Sequence, residues 1–122
     1  MMIEIGINST ILSHIRAGRK TVEGRLAKDK FLTIRPGDSI SIREDKYEGS
    51  KIIRSINDAA EIKVTGIQKF ESFENMLKSI GYGSVIPDAD SLEKACDEYA
   101  RYYSDDDQKQ YGVLAISFVL NR

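Results

Sequence analysis

The chain has 122 residues, 41% of them hydrophobic and 30% charged, with a net charge of −1. That is the composition of one soluble domain with a buried core, and it excludes a strongly basic nucleic-acid binder. No apolar run reaches the ~20 residues that a membrane-spanning helix needs. Residues Met1 to Thr10 hold no basic segment followed by an apolar stretch, and the single Cys96 cannot form an internal disulfide. Together these features point to a single cytoplasmic domain, residues 1–122, without a membrane partner. The charge is uneven: residues 1–70 carry 13 Lys/Arg against 9 Asp/Glu, whereas residues 71–122 carry 5 against 10. A basic face for an anionic ligand is therefore available.

Ile3, Ile5 and Ile7 alternate with Glu4 and Gly6, which predicts a half-buried strand. Asn8 or Ser9 can cap a helix carrying Leu12 and Ile15, with Gly18 as its stop. Lys20 to Leu26 reads as extended. Arg35-Pro36-Gly37-Asp38 has the residues of a tight turn and leads into a strand from Ser39 to Arg43. Glu44 to Asp58 is polar and reads as a loop. Glu61 to Phe70 reads as a strand whose apolar phase flips at Gly66, the mark of a β-bulge. Ser72 can cap a helix from Phe73 to Ile80, and Asp90 with Glu93 forms a capping box for a helix to about Tyr103. Ser104 with Asp107 predicts a short helix ending near Gly112. Val113 to Leu120 is apolar at nearly every position, which places it inside a sheet. This order is α+β, and a small β-barrel with flanking helices is the natural way to remove sheet edges at this size.

The most informative segment is Gly18-Arg19-Lys20-Thr21-Val22-Glu23-Gly24-Arg25. In a regular strand Thr21, Glu23 and Arg25 share one face, while Val22 and Leu26 point into the core. Lys20 joins Glu23 and Arg25 only if the chain turns near it. Lysine and arginine neutralise phosphate, and a carboxylate accepts from a base edge such as the cytosine amine. The same residues also fit a purely structural role, an ion pair of Glu23 with Arg25 capping the barrel.

Gly18-x-Lys20-x-x-Glu23-x-Arg25 resembles the G-x-K-x-x-E-x-R signature of ASCH domains, a family related to the PUA fold. Pro36-Gly37-Asp38, the run Ser72 to Leu77, and Tyr102-Tyr103-Ser104 followed by Tyr111-Gly112-Val113 resemble further parts of that family in the same order. The resemblance implies a PUA-like barrel with a cleft at the signature. It implies RNA or a nucleotide-like small molecule as partner, with Lys20, Thr21, Glu23, Arg25 and Tyr103 as binding residues. Some bacterial relatives are amidohydrolases acting on N4-acetylcytidine with a lysine, a threonine and a glutamate. Lys20 matches that lysine, but Glu23 stands where the nucleophilic threonine belongs. A hydrolase acting on a modified nucleoside or on RNA, with Lys20 and Glu23 as catalytic residues, is the alternative function. A protein-interaction module is the third.

Other features carry less chemistry. His14 is the only histidine; it could act near the Lys20 cluster, but it reads as a solvated or partly packed helix position, and with one His and one Cys no His/Cys metal site is expected. No P-loop or dinucleotide fingerprint is present, so no cofactor is expected. Tyr99, Tyr102 and Tyr103 lie on one helix, where a ring could pack on the barrel or stack on a base. Asp105-Asp106-Asp107 reads as a helix start favoured by the positive helix end.

Overall fold

The computed structural model describes residues 2–121. Its element order is β1 (Ile3–Asn8), α1 (Ser9–Arg16), β2 (Val22–Leu26), β3 (Ser39–Glu48), β4 (Lys51–Phe70), α2 (Phe73–Ile80), α3 (Leu92–Ala100), α4 (Asp105–Tyr111) and β5 (Val113–Leu120). Two 3-10 turns, Asp29–Thr33 and Tyr82–Ser84, lie in the connections. Among the described residues no helix is long and apolar enough to cross a membrane.

Local signals set most of these boundaries. Asn8 accepts from the Ile11 amide and starts α1, Ser72 accepts from the Asn75 amide and starts α2, and Ser104 accepts from the Asp107 amide and starts α4. Gly18 adopts a φ of 77° just beyond α1, in the left-handed region where a glycine costs least. The start of α3 differs from the expected capping box. Ser91 is the cap, accepting from the Lys94 amide, and Asp90 pairs instead with the Lys94 ammonium at 3.2 Å. The helix also stops at Ala100, so Tyr102 and Tyr103 lie in the turn that follows.

The five strands form one sheet in the order β1-β3-β4-β5-β2. β1 runs parallel to β3, and the other neighbours are antiparallel. As the doubly apolar pattern requires, β5 is interior, between β4 and β2. The register of β4 on β5 slips between Val64 and Gly66, leaving Thr65 without an opposite residue, so the bulge lies where the apolar phase flips. Leu114, Ile116 and Phe118 of β5 join Ile5, Ile7, Ile40, Ile42, Ile62 and Val64 in the core on one face, which Leu12 and Ile15 of α1 also enter. On the other face Val113 and Ala115 pack with Val22, Leu26 and the residues of α2 and α3.

The barrel is a half-barrel. β1 and β2 are the two ends of the sheet and do not pair with each other, so a gap remains between them. The segment from Glu44 to Asp58 is not the expected loop. β3 runs on to Glu48, Gly49 turns the chain at a φ of 64°, and β4 returns from Lys51 as a projecting hairpin arm. Tyr47, Ile52 and Ile53 on this arm are exposed. With both faces of a ribbon in water, apolar and polar residues need not alternate, so the period that marks a half-buried strand is missing.

Candidate functional site

A cavity of about 610 Å³ opens at the gap between the edge strands. Gly6, Ile7 and Asn8 of β1 line one side, and Glu23, Gly24 and Arg25 of β2 line another. The segment from Val85 to Ala89, Tyr99, Tyr102 and Tyr103 line the rest of the wall with His14, Lys20 and, among others, Tyr47.

On β2, Glu23 lies opposite Ile116 and Arg25 opposite Leu114, so both leave the strand on the inner face of the half-barrel. Gly24 has the other parity and packs beneath Tyr99. A Cβ added there would lie 2.6 Å from the Tyr99 hydroxyl and 2.9 Å from Met76 Cε. Glycine therefore lets α3 approach the strand at this point. Lys20 precedes β2, in the turn where its own amide and that of Arg19 both donate to the His14 carbonyl. This turn brings Lys20 to Glu23 although strand parity alone would separate them.

Lys20, Glu23 and Arg25 form one charge cluster. Lys20 Nζ lies 3.6 Å from Glu23 Oε1, and Arg25 Nη2 lies 3.5 Å from Glu23 Oε2. Lys20 is only 3% exposed. Its ammonium donates to the carbonyls of Val22 at 2.9 Å and Val85 at 2.6 Å, and its charge is paired with Glu23 at 3.6 Å. It ties the Val85 segment to β2 and holds Glu23 in place. Burial strips water from this ammonium and pulls its pKa below the usual lysine value, against the pull of Glu23. Burial alone would raise the Glu23 carboxyl, but the Lys20 and Arg25 charges outweigh it and hold its pKa below the usual glutamate value. Desolvation would likewise lower Arg25, and the Glu23 carboxylate more than reverses that.

Of the residues expected at the site, Lys20, Glu23, Arg25 and Tyr103 meet at one cavity. Thr21 does not line it. Its side chain is exposed, and its backbone is engaged by Ser84 and Phe118. Among the described residues Arg25 pairs only with Glu23, at 3.5 Å, and its guanidinium lies over the Phe31 ring at 5.3 Å. Tyr103 packs against Phe73 with the rings tilted by 31° and a centroid distance of 4.8 Å.

Several lining residues are placed by the fold and not by a motif. His14 Nδ1 accepts from Arg19 Nε at 2.9 Å, which leaves Nε2 to donate to Asp88 at 2.8 Å. This contact joins α1 to the Val85–Ala89 segment across 74 residues of sequence. Only the pair His14 and Arg19, five residues apart, lies close enough along the chain to be suspected from the sequence.

The ASCH domain model matches residues 5–121. A crystal structure of hypothetical protein PH0355 superposes with a TM-score of 0.78 at 30% identity, over 99% of this chain and 100% of that one. The solution NMR structure of protein PF0455 from Pyrococcus furiosus gives 0.76 at 32% identity, over 98% of this chain and 97% of that one. No curated protein matches the chain in sequence. A family match over nearly the whole chain, on a half-barrel whose gap is flanked by the Gly18-x-Lys20-x-x-Glu23-x-Arg25 segment, identifies the chain as a member of the ASCH domain family.

Proposed function

We propose that this domain binds RNA, or a nucleotide-like small molecule, in the cavity between β1 and β2. The observation that carries the reading is the pairing of Arg25 and Glu23 on the wall of a cavity of about 610 Å³. That volume is within the ordinary range for small-molecule sites. Arg25 offers donors to a phosphate, Glu23 offers a carboxylate oxygen to a base amine, and Tyr103 offers a ring at the same wall. Lys20 contributes by fixing Glu23, since its ammonium is tied to two carbonyls and paired with that carboxylate. The likeness to ASCH domains, a family thought to handle RNA or nucleotides, supports the same ligand class.

Titration of RNA oligomers and free nucleotides at two salt concentrations tests the reading. Binding that weakens with salt supports it, and no binding below millimolar concentration at low salt refutes it. A second reading, a protein-interaction module, draws on the exposed Tyr47, Ile52 and Ile53 of the hairpin arm. It replaces the first if the cavity binds neither class of probe.

A further inference from the structure

The chain has six tyrosines and four phenylalanines. Among the described residues only two of these rings are exposed, Tyr47 at 48% and Tyr102 at 68%. Both line the cavity between β1 and β2. Apolar side chains scattered singly over a surface are ordinary and call for no explanation. Here the two rings that the fold leaves in water are gathered at one cavity.

They come from the two sides of the gap. Tyr47 is two residues beyond Asp45, which pairs with Asn8 at the end of β1. Tyr102 is two residues beyond Ala100, the end of α3, and α3 packs on β2 where Tyr99 meets Gly24. A β-bulge lies at the first ring. Lys46 is opposite Arg54 and Tyr47 is opposite Ile52, so Ile53 is an extra residue on β4. Bulges bend a strand and re-aim its side chains. The second ring is presented with a cation, since the Arg101 guanidinium lies over it at 5.7 Å. Arg25 and Glu23 are less exposed and stand on the wall of the same cavity.

Single-stranded nucleic acids are held by rings of this kind. Every base has a π-face that an exposed ring can take, and a nearby cation strengthens the contact. A free nucleotide has one base and cannot stack on two separate rings. The bases of a duplex are stacked on one another and offer no open face. We propose that Tyr47 and Tyr102 are stacking residues for the bases on either side of a nucleotide held at Arg25 and Glu23, so that the ligand is a single-stranded RNA and not a free nucleotide. The inference rests on the proposed function and chooses between its two ligand classes.

The experiment compares the full chain with Tyr47→Ala, Tyr102→Ala, Tyr47→Phe and Tyr102→Phe. The probes are a single-stranded RNA oligomer, an abasic oligomer of the same length, and nucleoside 5′-monophosphates. The parent should bind the RNA oligomer more tightly than any monophosphate. Each alanine variant should lose roughly 5- to 100-fold in affinity for that oligomer, the size of one base–ring stack. Each phenylalanine variant should keep the parent's affinity, because the π-face remains. Binding of the abasic oligomer and the monophosphates should not change, and melting temperatures should stay close to the parent's because both rings are exposed. An alanine variant that binds the RNA oligomer as tightly as the parent, or that loses affinity equally for the monophosphates, overturns the inference. If that variant is Tyr47→Ala, the arm returns to the protein-interaction reading. A parent that binds monophosphates as tightly as the oligomer also overturns it and leaves the cavity reading standing. If the parent binds none of the probes, the cavity reading itself fails and takes this one with it.

Discussion

At the residue scale the cluster divides its labour by burial. Lys20 is enclosed and donates to two protein carbonyls, whereas Arg25, paired with Glu23, is the residue proposed to meet a ligand. Removing Lys20 therefore leaves the Glu23 carboxylate with less compensation and frees two buried carbonyls. Lys20→Ala should cost about 3–5 kcal/mol of stability, the usual penalty for breaking a buried ion pair, as measured by urea unfolding. Unchanged stability would show that the ammonium does not hold this wall together. Glu23 gives a sign to the pH dependence. Its folded-state pKa is depressed below the ordinary 4.5, so its stabilising contribution is complete above that value. It is lost as pH falls through the folded-state pKa. The stability gap between the parent chain and Glu23→Gln should be widest near neutrality and narrow as the pH drops below about 4.5 in unfolding curves taken across the acid range. A gap that stayed constant with pH would contradict the ionised cluster.

At the scale of elements, side-chain caps do much of the punctuation. Ser72 starts α2 by accepting from the Asn75 amide at 3.0 Å. Ser72→Ala should cost about 1 kcal/mol in thermal or urea unfolding, with no effect on ligand affinity because Ser72 does not line the cavity. No measurable destabilisation would show that α2 is held by its buried Phe73, Met76 and Leu77 alone. Caps, turns and bulges were readable in the sequence because each depends on residues a few positions apart. Asn8, Ser72, Ser104, the Pro36-Gly37 turn and the Gly66 bulge all belong to this class. The hairpin arm was not readable, because a ribbon wet on both faces has no apolar period. The cavity was half readable. Lys20, Glu23 and Arg25 sit within six residues of sequence, so one motif points to them. Asp88 and the Val85 carbonyl reach the site only through the fold, whereas Tyr99 was legible only as one of three neighbouring tyrosines whose ring could pack or stack.

At the scale of the whole molecule, the half-barrel explains why the site lies where it does. A fully closed barrel would pair β1 with β2 and fill the gap with backbone hydrogen bonds. Here the two ends of the sheet stay apart, and the space between them is lined by their own residues and roofed by the Val85–Ala89 segment. The proposed reading is binding and not hydrolysis: the resemblance puts Glu23 where a nucleophilic threonine is expected, and Thr21, the nearest hydroxyl in the motif, is exposed outside the cavity. Purified, folded protein should therefore release no cytidine from N4-acetylcytidine in a chromatographic assay. Turnover that Lys20→Ala abolishes would show that a different nucleophile serves the cluster.

The most direct test of the central claim is the salt dependence of RNA binding by the parent chain and by Arg25→Ala. Phosphate neutralisation releases counterions, so the logarithm of the affinity should fall with the logarithm of salt at about −0.7 per phosphate contacted on a single strand. If Arg25 contacts a phosphate in the cavity between β1 and β2, Arg25→Ala should weaken binding for every oligomer sequence and flatten the slope by about one contact. An Arg25→Ala protein that binds RNA with the parent's affinity and the parent's slope would contradict the account.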